Sequence, residues 1–130
     1  MRSALAAILA GLIGYLVNRW ALRTWGPRVI LFGVPVIEEL AKTGSALLVG
    51  GAILPTHVGF GAIEALYDWE EGNHSIRAAA VIIGLMGHTV FGWLTEWMTD
   101  LGGHRVYGLL TATAVHLLWN TTVLGHWLKR

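Results

Sequence analysis

The stretch FGVPVIEELAKTG, residues 32–44, places Glu38, Glu39 and Lys42 inside an otherwise apolar run. The run covers residues 29–51, which is long enough to predict a helix that crosses a bilayer. Each charge at the bilayer centre costs roughly 2.5–3.5 kcal/mol on insertion scales. Ionisable groups at that depth normally face one another or a water-filled cavity, so the stretch predicts a polar site enclosed by other helices.

The composition around this stretch is typical of a membrane protein. The 130 residues are 55% hydrophobic and 13% charged, whereas soluble domains carry about 25% charged residues. Seventeen glycines and seven tryptophans suit close helix packing and interfacial anchoring. The net charge of +1 gives no basic field for a nucleic-acid partner. The sequence has no cysteine, which excludes disulfides and thiolate metal sites.

Residues 1–130 are predicted to form a single all-α membrane domain, a bundle of about five transmembrane helices with a polar site inside it. Pro35 bends the second helix near the glutamates, and Pro55 suits the start of the third. Arg2 before a short apolar core also suits a signal peptide. The basic segment after that core offers no cleavage site, so a retained first helix is favoured. The predicted spans are 3–18, 29–51, 56–69, 76–98 and 105–128.

Lysine and arginine residues fall unevenly on the two sides of this bundle. Six lie at span ends on one side and two on the other, so the positive-inside rule makes the first side cytoplasmic. The chain is thus predicted to be integral to the cell membrane and multi-pass, with its N-terminus outside and its C-terminus in the cytoplasm. The six are Arg19, Arg23, Arg28, Arg77, Lys129 and Arg130, and the two are Arg2 and Arg105.

Polar residues on three of these helices lie at similar depths, and Glu64 on a fourth lies about a turn from the end of its short helix. Glu38, His88 and His116 each lie ten or eleven positions from a basic residue at the end of their span, which is about 15 Å at 1.5 Å per residue. Isolating any of them in lipid is costly, which predicts that they converge around one cavity. The full set predicted to converge is Glu38, Glu39, Glu64, His88, His116 and Asn120.

Helical spacing predicts that the charged side chains of the second helix point in different directions. Glu38 and Lys42 are four residues apart and share a face, whereas Glu39 is turned about 100° from Glu38. One carboxylate is therefore expected to face the cavity while the other pairs with the lysine. Residues near span ends are interpreted as interfacial, solvated or at the outer surface: His57, His74, His104, His126, Asp68, Glu70, Glu71, Glu96 and Asp100.

These side-chain types together suit the hydrolysis of an amide or ester by water. A glutamate shielded from solvent acts as a base toward water near neutral pH. His88, His116 and Glu64 offer the three protein ligands of a catalytic zinc; alternatively, the histidines and Asn120 donate hydrogen bonds to an oxyanion. Neither HLLWN nor MGHTV contains the His-x-x-x-His pair of helical zinc proteases, which favours the metal-free version. Zinc stays open as a cofactor, and no other is assigned.

Four segments resemble, in chain order, the four motifs of the PrsW-type intramembrane proteases: EELAK (38–42), GFGAIEAL (59–66), GLMGHTVFG (84–92) and HLLWN (116–120). This family belongs to a superfamily with the CAAX prenyl endopeptidases and the multi-spanning scaffold subunit of gamma-secretase. The resemblance covers spans two to five. CAAX enzymes usually carry FxxxH where this chain has FGAIE, so Glu64 stands where they have a histidine.

The resemblance implies an intramembrane endopeptidase of the glutamic or metallo type, which hydrolyses a peptide bond in or near the membrane. The expected partners are the lipid bilayer and a membrane-protein or membrane-anchored peptide substrate, and a homo-oligomer is a further expectation because the chain is short for the family. Two alternatives stay open: a non-catalytic scaffold of the same fold, and a proton- or ion-coupled transporter. The site residues that the resemblance implies are Glu38 and Glu39 as catalytic, with Glu64, His88, His116 and Asn120 lining the site.

Overall fold

The computed structural model describes residues 1–71 and 77–123, and that part of the chain is all-helical, with no strand. This part contains five helices, which is the number predicted for the chain. The predicted end of the fifth helix, beyond residue 123, lies outside the described residues. The helices are α1 (Arg2–Trp25), α2 (Val29–Val49), α3 (Ile53–Glu71), α4 (Arg77–Gly102) and α5 (Arg105–Val123).

α1 extends seven residues beyond the apolar run that predicts it, from residue 18 to Trp25. Arginine and leucine are good helix formers, so the loss of apolar character after residue 18 does not end the helix. Arg23 lies in the last turn, where the helix dipole favours a cation. The helix ends at Gly26, whose φ of 74° is open to glycine and costly for other residues.

The end of α2 is closed by a pair of glycines. Gly50 adopts a left-handed conformation, and its N–H donates to the carbonyl of Leu47 at 3.4 Å. The Gly51 N–H donates to the carbonyl of Ala46 at 2.8 Å, which completes a Schellman motif. The next helix begins at Ile53, so this motif turns the chain back within three residues.

Side chains from two other helices bind the first backbone groups of α3. The Leu54 N–H donates to Glu96 Oε1 on α4 at 2.9 Å, and the Ala52 N–H donates to Ser3 Oγ on α1 at 3.1 Å. The sequence predicts Glu96 at the outer membrane surface, and in the structure its carboxylate caps a neighbouring helix. A carboxylate is favoured at a helix N-terminus by the unpaired N–H groups there, so this contact fixes α4 against the turn between α2 and α3.

α3 packs between α1 and α4, α2 packs between α1 and α5, and α5 also packs against α4. The described apolar side chains inside this bundle are mainly alanines, with Val34, Phe60 and Phe91. Leucine, isoleucine and tryptophan crowd the outer surface instead. A soluble domain has the opposite distribution, with its large apolar residues buried.

Two of the described helices are long and apolar enough to cross a membrane: α1, and the segment Ala78–Gly102 of α4. α2 has sufficient length, with 21 residues, or roughly 32 Å at 1.5 Å per residue. Every 18-residue window within α2 contains Glu38, Glu39 and Lys42. These three charges distinguish α2 from α1 and α4, which are apolar enough by composition.

Replacement of Gly108 by alanine should destabilise the bundle. A Cβ at this position on α5 would collide with the backbone carbonyl oxygen of Thr95 and the hydroxyl of Thr99, both on α4. Forcing the two helices apart should lower the free energy of unfolding by about 1–3 kcal/mol. Denaturant titration of the purified protein in detergent, followed by tryptophan fluorescence, measures this change.

Gly84→Ala is the matched control, because a Cβ at Gly84 on α4 meets no atom within 4 Å. Removing a helical glycine there should leave the stability unchanged or raise it by about 0.5–1 kcal/mol. Equal stability of Gly84→Ala and Gly108→Ala would contradict the close approach of α4 and α5.

Candidate functional site

α2 turns its three charged side chains into the bundle. Glu38, Glu39 and Lys42 are 3%, 0% and 0% exposed. Lys42 Nζ donates to Glu39 Oε1 at 2.5 Å, one turn back along the helix. Glu39 is therefore the carboxylate that pairs with the lysine. Glu38, which shares a helix face with Lys42 by its spacing, has other partners.

Two aromatic rings surround the ammonium of Lys42. Its Nζ lies 4.9 Å from the ring centre of Phe60 on α3 and 5.8 Å from that of Phe91 on α4. The attraction between a cation and a ring face is strongest where water is excluded. Together with Glu39 as counter-ion, the rings stabilise a full positive charge inside the bundle.

A chain of hydrogen bonds leads from Lys42 across the bundle. Lys42 Nζ is 3.0 Å from His88 Nδ1 on α4, and His88 Nε2 is bonded to Glu64 Oε2 on α3. An ammonium has only donors, so His88 Nδ1 accepts, and the ring proton is assigned to Nε2, which donates to Glu64. Gly61 makes room for this imidazole, since a Cβ there would lie 3.0 Å from the His88 Cβ.

Glu39 also anchors α5. His116 Nδ1 is 2.9 Å from Glu39 Oε1, and because a carboxylate only accepts, Nδ1 is the donor. The His116 ring stacks on Phe91, with centroids 4.4 Å apart. His116 Nε2 faces the other glutamate and lies 3.9 Å from Glu38 Oε2. One histidine of α5 therefore lies between the two carboxylates of α2.

Glu38 is held from the opposite side by α1. Asn18 Nδ2 donates to Glu38 Oε1 at 2.9 Å. Both residues border a groove of about 600 Å³ between α1 and α3, and Glu64 lines the same groove. Glu39 does not line it. Glu38 and Glu64 are thus the carboxylates of the network that a ligand in the groove would meet.

His57 of α3 is fully buried, so its interpretation as an interfacial residue is wrong. α3 begins at Ile53, three residues earlier than predicted, which places His57 inside the bundle. His57 Nδ1 lies 3.7 Å from Glu39 Oε2, and neither ring nitrogen has a hydrogen-bond partner among the described residues. The ring fits against α4 because a glycine, Gly92, faces it; a Cβ there would lie 2.7 Å from the His57 Cβ.

The other residues interpreted as interfacial or solvated divide into two groups. His104, Glu70 and Asp100 are exposed, as expected. His74 and His126, and the side chains of Asp68 and Glu71, lie outside the part of the chain that the structure describes.

Asn120 contacts the backbone of α2. It is buried on α5, one turn after His116, and its Nδ2 donates to the carbonyl of Ile30 at 3.0 Å. Ile30 lies in the first turn of α2, so this amide joins the two helices near one end. The structure thus brings together the other five predicted residues, Glu38, Glu39, Glu64, His88 and His116, while the described hydrogen bond of Asn120 goes to the backbone.

Glu38, Glu64 and His88 offer three ligand atoms within 4.8 Å of one another. This group differs from the predicted zinc ligands, since Glu38 takes the place of His116. Its hydrogen bonds do not fit a metal ion. With Lys42 as an ammonium, His88 Nδ1 accepts from it and the ring proton is assigned to Nε2, so a metal on Nε2 would have to displace that proton and the hydrogen bond to Glu64. The arrangement favours the metal-free version of the site.

No protein-family model, curated protein or solved structure matches this chain. The likeness to PrsW-type proteases therefore rests on the four segments EELAK, GFGAIEAL, GLMGHTVFG and HLLWN.

Two residues of the site, Asn18 and His57, are not predicted from the sequence. Asn18 ends the first apolar run, which predicts the end of a helix, and His57 lies two residues after Pro55, which predicts a helix start. In both cases the helix continues past the boundary. The helix-forming residues after Asn18, including Arg19 and Leu22, are the signal that places it inside a helix.

Lys42→Met should strongly destabilise the protein, because it leaves the buried Glu39 carboxylate without its cation. Removing one partner of a buried ion pair costs about 3–5 kcal/mol. Glu39→Gln should have a similar effect through Lys42. The double variant should lose clearly less than the sum of the two single losses, because no uncompensated charge remains. A double-mutant cycle from denaturant unfolding measures the coupling.

The control is Arg28→Met, which removes an exposed cation that has no ion pair among the described residues. Its effect should stay within about 0.5 kcal/mol. Additive losses for Lys42→Met and Glu39→Gln would contradict their pairing inside the bundle.

Proposed function

We propose that this chain is an intramembrane endopeptidase that hydrolyses a peptide bond of a membrane-protein or membrane-anchored substrate, with Glu38 as the base that activates water. The observation that carries the proposal is the different surroundings of the two glutamates of α2. Glu39 is bound by Lys42 and His116, whereas Glu38 borders the groove. One carboxylate therefore holds the site together and the other faces the substrate. The four PrsW-like segments support the same class of reaction.

All five helices cross the membrane in this proposal. It is supported by the large apolar side chains on the outside of the bundle, such as Leu48 and Leu66, which are 78% and 69% exposed. Trp20 and Trp25 are exposed near one end of α1, where tryptophan suits a membrane interface. The positive-inside rule then orients the N-terminus outside and the C-terminus toward the cytoplasm.

Cysteine labelling checks this orientation, since the chain has no cysteine of its own. Arg28→Cys should react with a membrane-impermeant reagent from the cytoplasmic side, and His104→Cys from the outer side. Reaction of both positions from the same side would contradict three crossings by α2, α3 and α4.

In the proposed reaction Glu38 takes a proton from a water molecule in the groove, and the oxygen of that water attacks the carbonyl carbon of the peptide bond. A C–O bond forms while the carbonyl electron pair moves onto the oxygen. Collapse of this tetrahedral species breaks the C–N bond, and Glu38 returns the proton to the departing nitrogen. The products are a carboxylic acid and an amine.

The neighbours of Glu38 position this reaction. Asn18 donates to Glu38 Oε1 and holds the carboxylate at the groove wall. Glu64, held by the N–H of His88, accepts a hydrogen bond from the substrate backbone and aligns it. The ion pair of Glu39 and Lys42 lies on the side of the site away from the groove and keeps the neighbouring helices in place.

Glu38→Gln should remove most of the turnover and leave the fold intact. The amide keeps an oxygen that accepts from Asn18, but it cannot take a proton from water. The expected loss in rate is about 10²–10⁴-fold. Glu39→Gln should instead lower the free energy of unfolding, as argued for its ion pair. Turnover is measured with purified protein in liposomes on a fluorescent single-span peptide, and unfolding is measured on the same preparations.

Asp100→Asn is the control, because Asp100 is exposed and does not line the groove. It should keep full turnover. The zinc chelator phenanthroline should also leave the rate unchanged, and a loss of turnover with the chelator would favour the metallo version. Full turnover by Glu38→Gln would end the proposed role of Glu38 as base.

A further inference from the structure

The groove between α1 and α3 is larger than the attack of one water molecule requires. Along α1 it runs from Gly11 to Arg23, which is roughly 18 Å at 1.5 Å per residue. One part of its wall is apolar, where Phe60 and Ile63 of α3 lie beside Gly14 and Gly11. An extended peptide rises about 3.3 Å per residue, so the groove matches a segment of about five or six residues.

Two arginines, Arg19 and Arg23, lie one turn apart at one end of this groove. Both are exposed. Arg19 Nη1 donates to the hydroxyl of Tyr15 at 2.8 Å, which orients the guanidinium along the groove wall. Within residues 1–71 and 77–123, neither arginine forms an ion pair with a described carboxylate. Two positive charges therefore face whatever enters the groove at this end.

The spacing between these arginines and the proposed base can be measured along α1. Asn18, which holds Glu38, directly precedes Arg19 and lies five residues before Arg23. Along the helix axis these offsets correspond to roughly 1.5 Å for Arg19 and 7.5 Å for Arg23, so both arginines lie within the length of two or three residues of extended peptide from Asn18. Among the described residues, none that lines the opposite end of the groove, near Gly11, is charged.

We propose that the groove selects peptide segments that carry an acidic side chain within about three residues of the hydrolysed bond, and that Arg19 and Arg23 bind this side chain. The proposal rests on the proposed peptidase function and names the feature of the substrate that the site recognises. Apolar side chains of the same segment occupy the part of the groove near Gly11 and Gly14. Hydrogen bonds between carboxylate and guanidinium are charge-assisted, so one such contact discriminates clearly between an acid and its amide.

A lipid phosphate is the competing ligand with the same charge. Its acyl chain would follow the apolar wall and would cover Glu38 and Glu64 without offering them a donor, which is costly for a carboxylate. A peptide backbone instead presents N–H groups, one of which Glu64 accepts, while Glu38 accepts from the water molecule. The charges along the groove therefore fit a peptide better than a lipid.

The test measures binding separately from cleavage. The Glu38→Gln protein is placed in nanodiscs of zwitterionic lipid and titrated with a fluorescent peptide of leucine and valine that carries one glutamate. Both peptide ends are blocked, which removes the terminal charges. The glutamate peptide should bind about tenfold more tightly than the same peptide with glutamine, by fluorescence anisotropy.

Charge reversal identifies the residues responsible. Adding Arg19→Glu and Arg23→Glu should reverse the preference, so that a lysine peptide binds more tightly than the glutamate peptide. Arg28→Glu is the control, because Arg28 is an exposed arginine outside the groove, and it should keep the preference for glutamate. An unchanged preference in the Arg19 and Arg23 variant would overturn the proposal, as would equal binding of the glutamate and glutamine peptides.

Two further results separate this proposal from its alternatives. Displacement of the glutamate peptide by a short-chain phosphatidic acid, with tighter binding of the lipid than of the peptide, would assign the arginines to a lipid headgroup and overturn it. Preferential binding without cleavage by the native protein would contradict the peptidase function while supporting the groove as a peptide site. Cleavage of both peptides at equal rates, with equal binding, would leave the peptidase function standing and refute the acidic preference.

Discussion

A single ammonium group enclosed in the bundle, that of Lys42, determines how the rest of the site is arranged. Because an ammonium only donates, Glu39 and His88 must both accept from it. His88 then has its proton on the opposite nitrogen, where it meets Glu64. The hydrogen bonds of three helices thus run in one direction, and a network with defined donors and acceptors is more rigid than its separate pairs.

The bundle has room for this network because small residues occupy the helix contacts. A Cβ at Gly61 would press on His88, and one at Gly59 would lie 2.8 Å from the Cβ of Ala7 on α1. The large apolar side chains are on the outside, where they add nothing to the crowding of the interior. Polar groups therefore occupy the interior positions that leucine occupies in a soluble helical bundle. Close approach of the helix backbones and hydrogen bonds between side chains mainly hold the fold together.

The helix count and the meeting of His88 and His116 with the glutamates of α2 could be predicted from the sequence, because the cost of isolating a polar group in an apolar setting does not depend on details of the fold. Which of the two glutamates pairs with Lys42 could not be predicted from the sequence. Residues three and four positions back are both within its reach, and the outcome depends on where α4 and α5 place their histidines. His57 and Asn18 are not predicted for another reason. When a helix extends a few residues beyond its predicted boundary, a residue expected at the helix end lies inside the helix instead.

The residues that contact α2 are also synthesised in a definite order along the chain. Asn18 precedes Glu38, and Lys42 pairs with Glu39 within the same helix. His116, in contrast, follows Glu39 by 77 residues. At 5–20 residues per second of synthesis, that separation is roughly 4–15 s. Until α3 and α4 supply His57 and His88, α2 has only its own ion pair and α1 to offset its charges, so the Glu39–Lys42 contact stabilises the growing chain before there is a site for it to support.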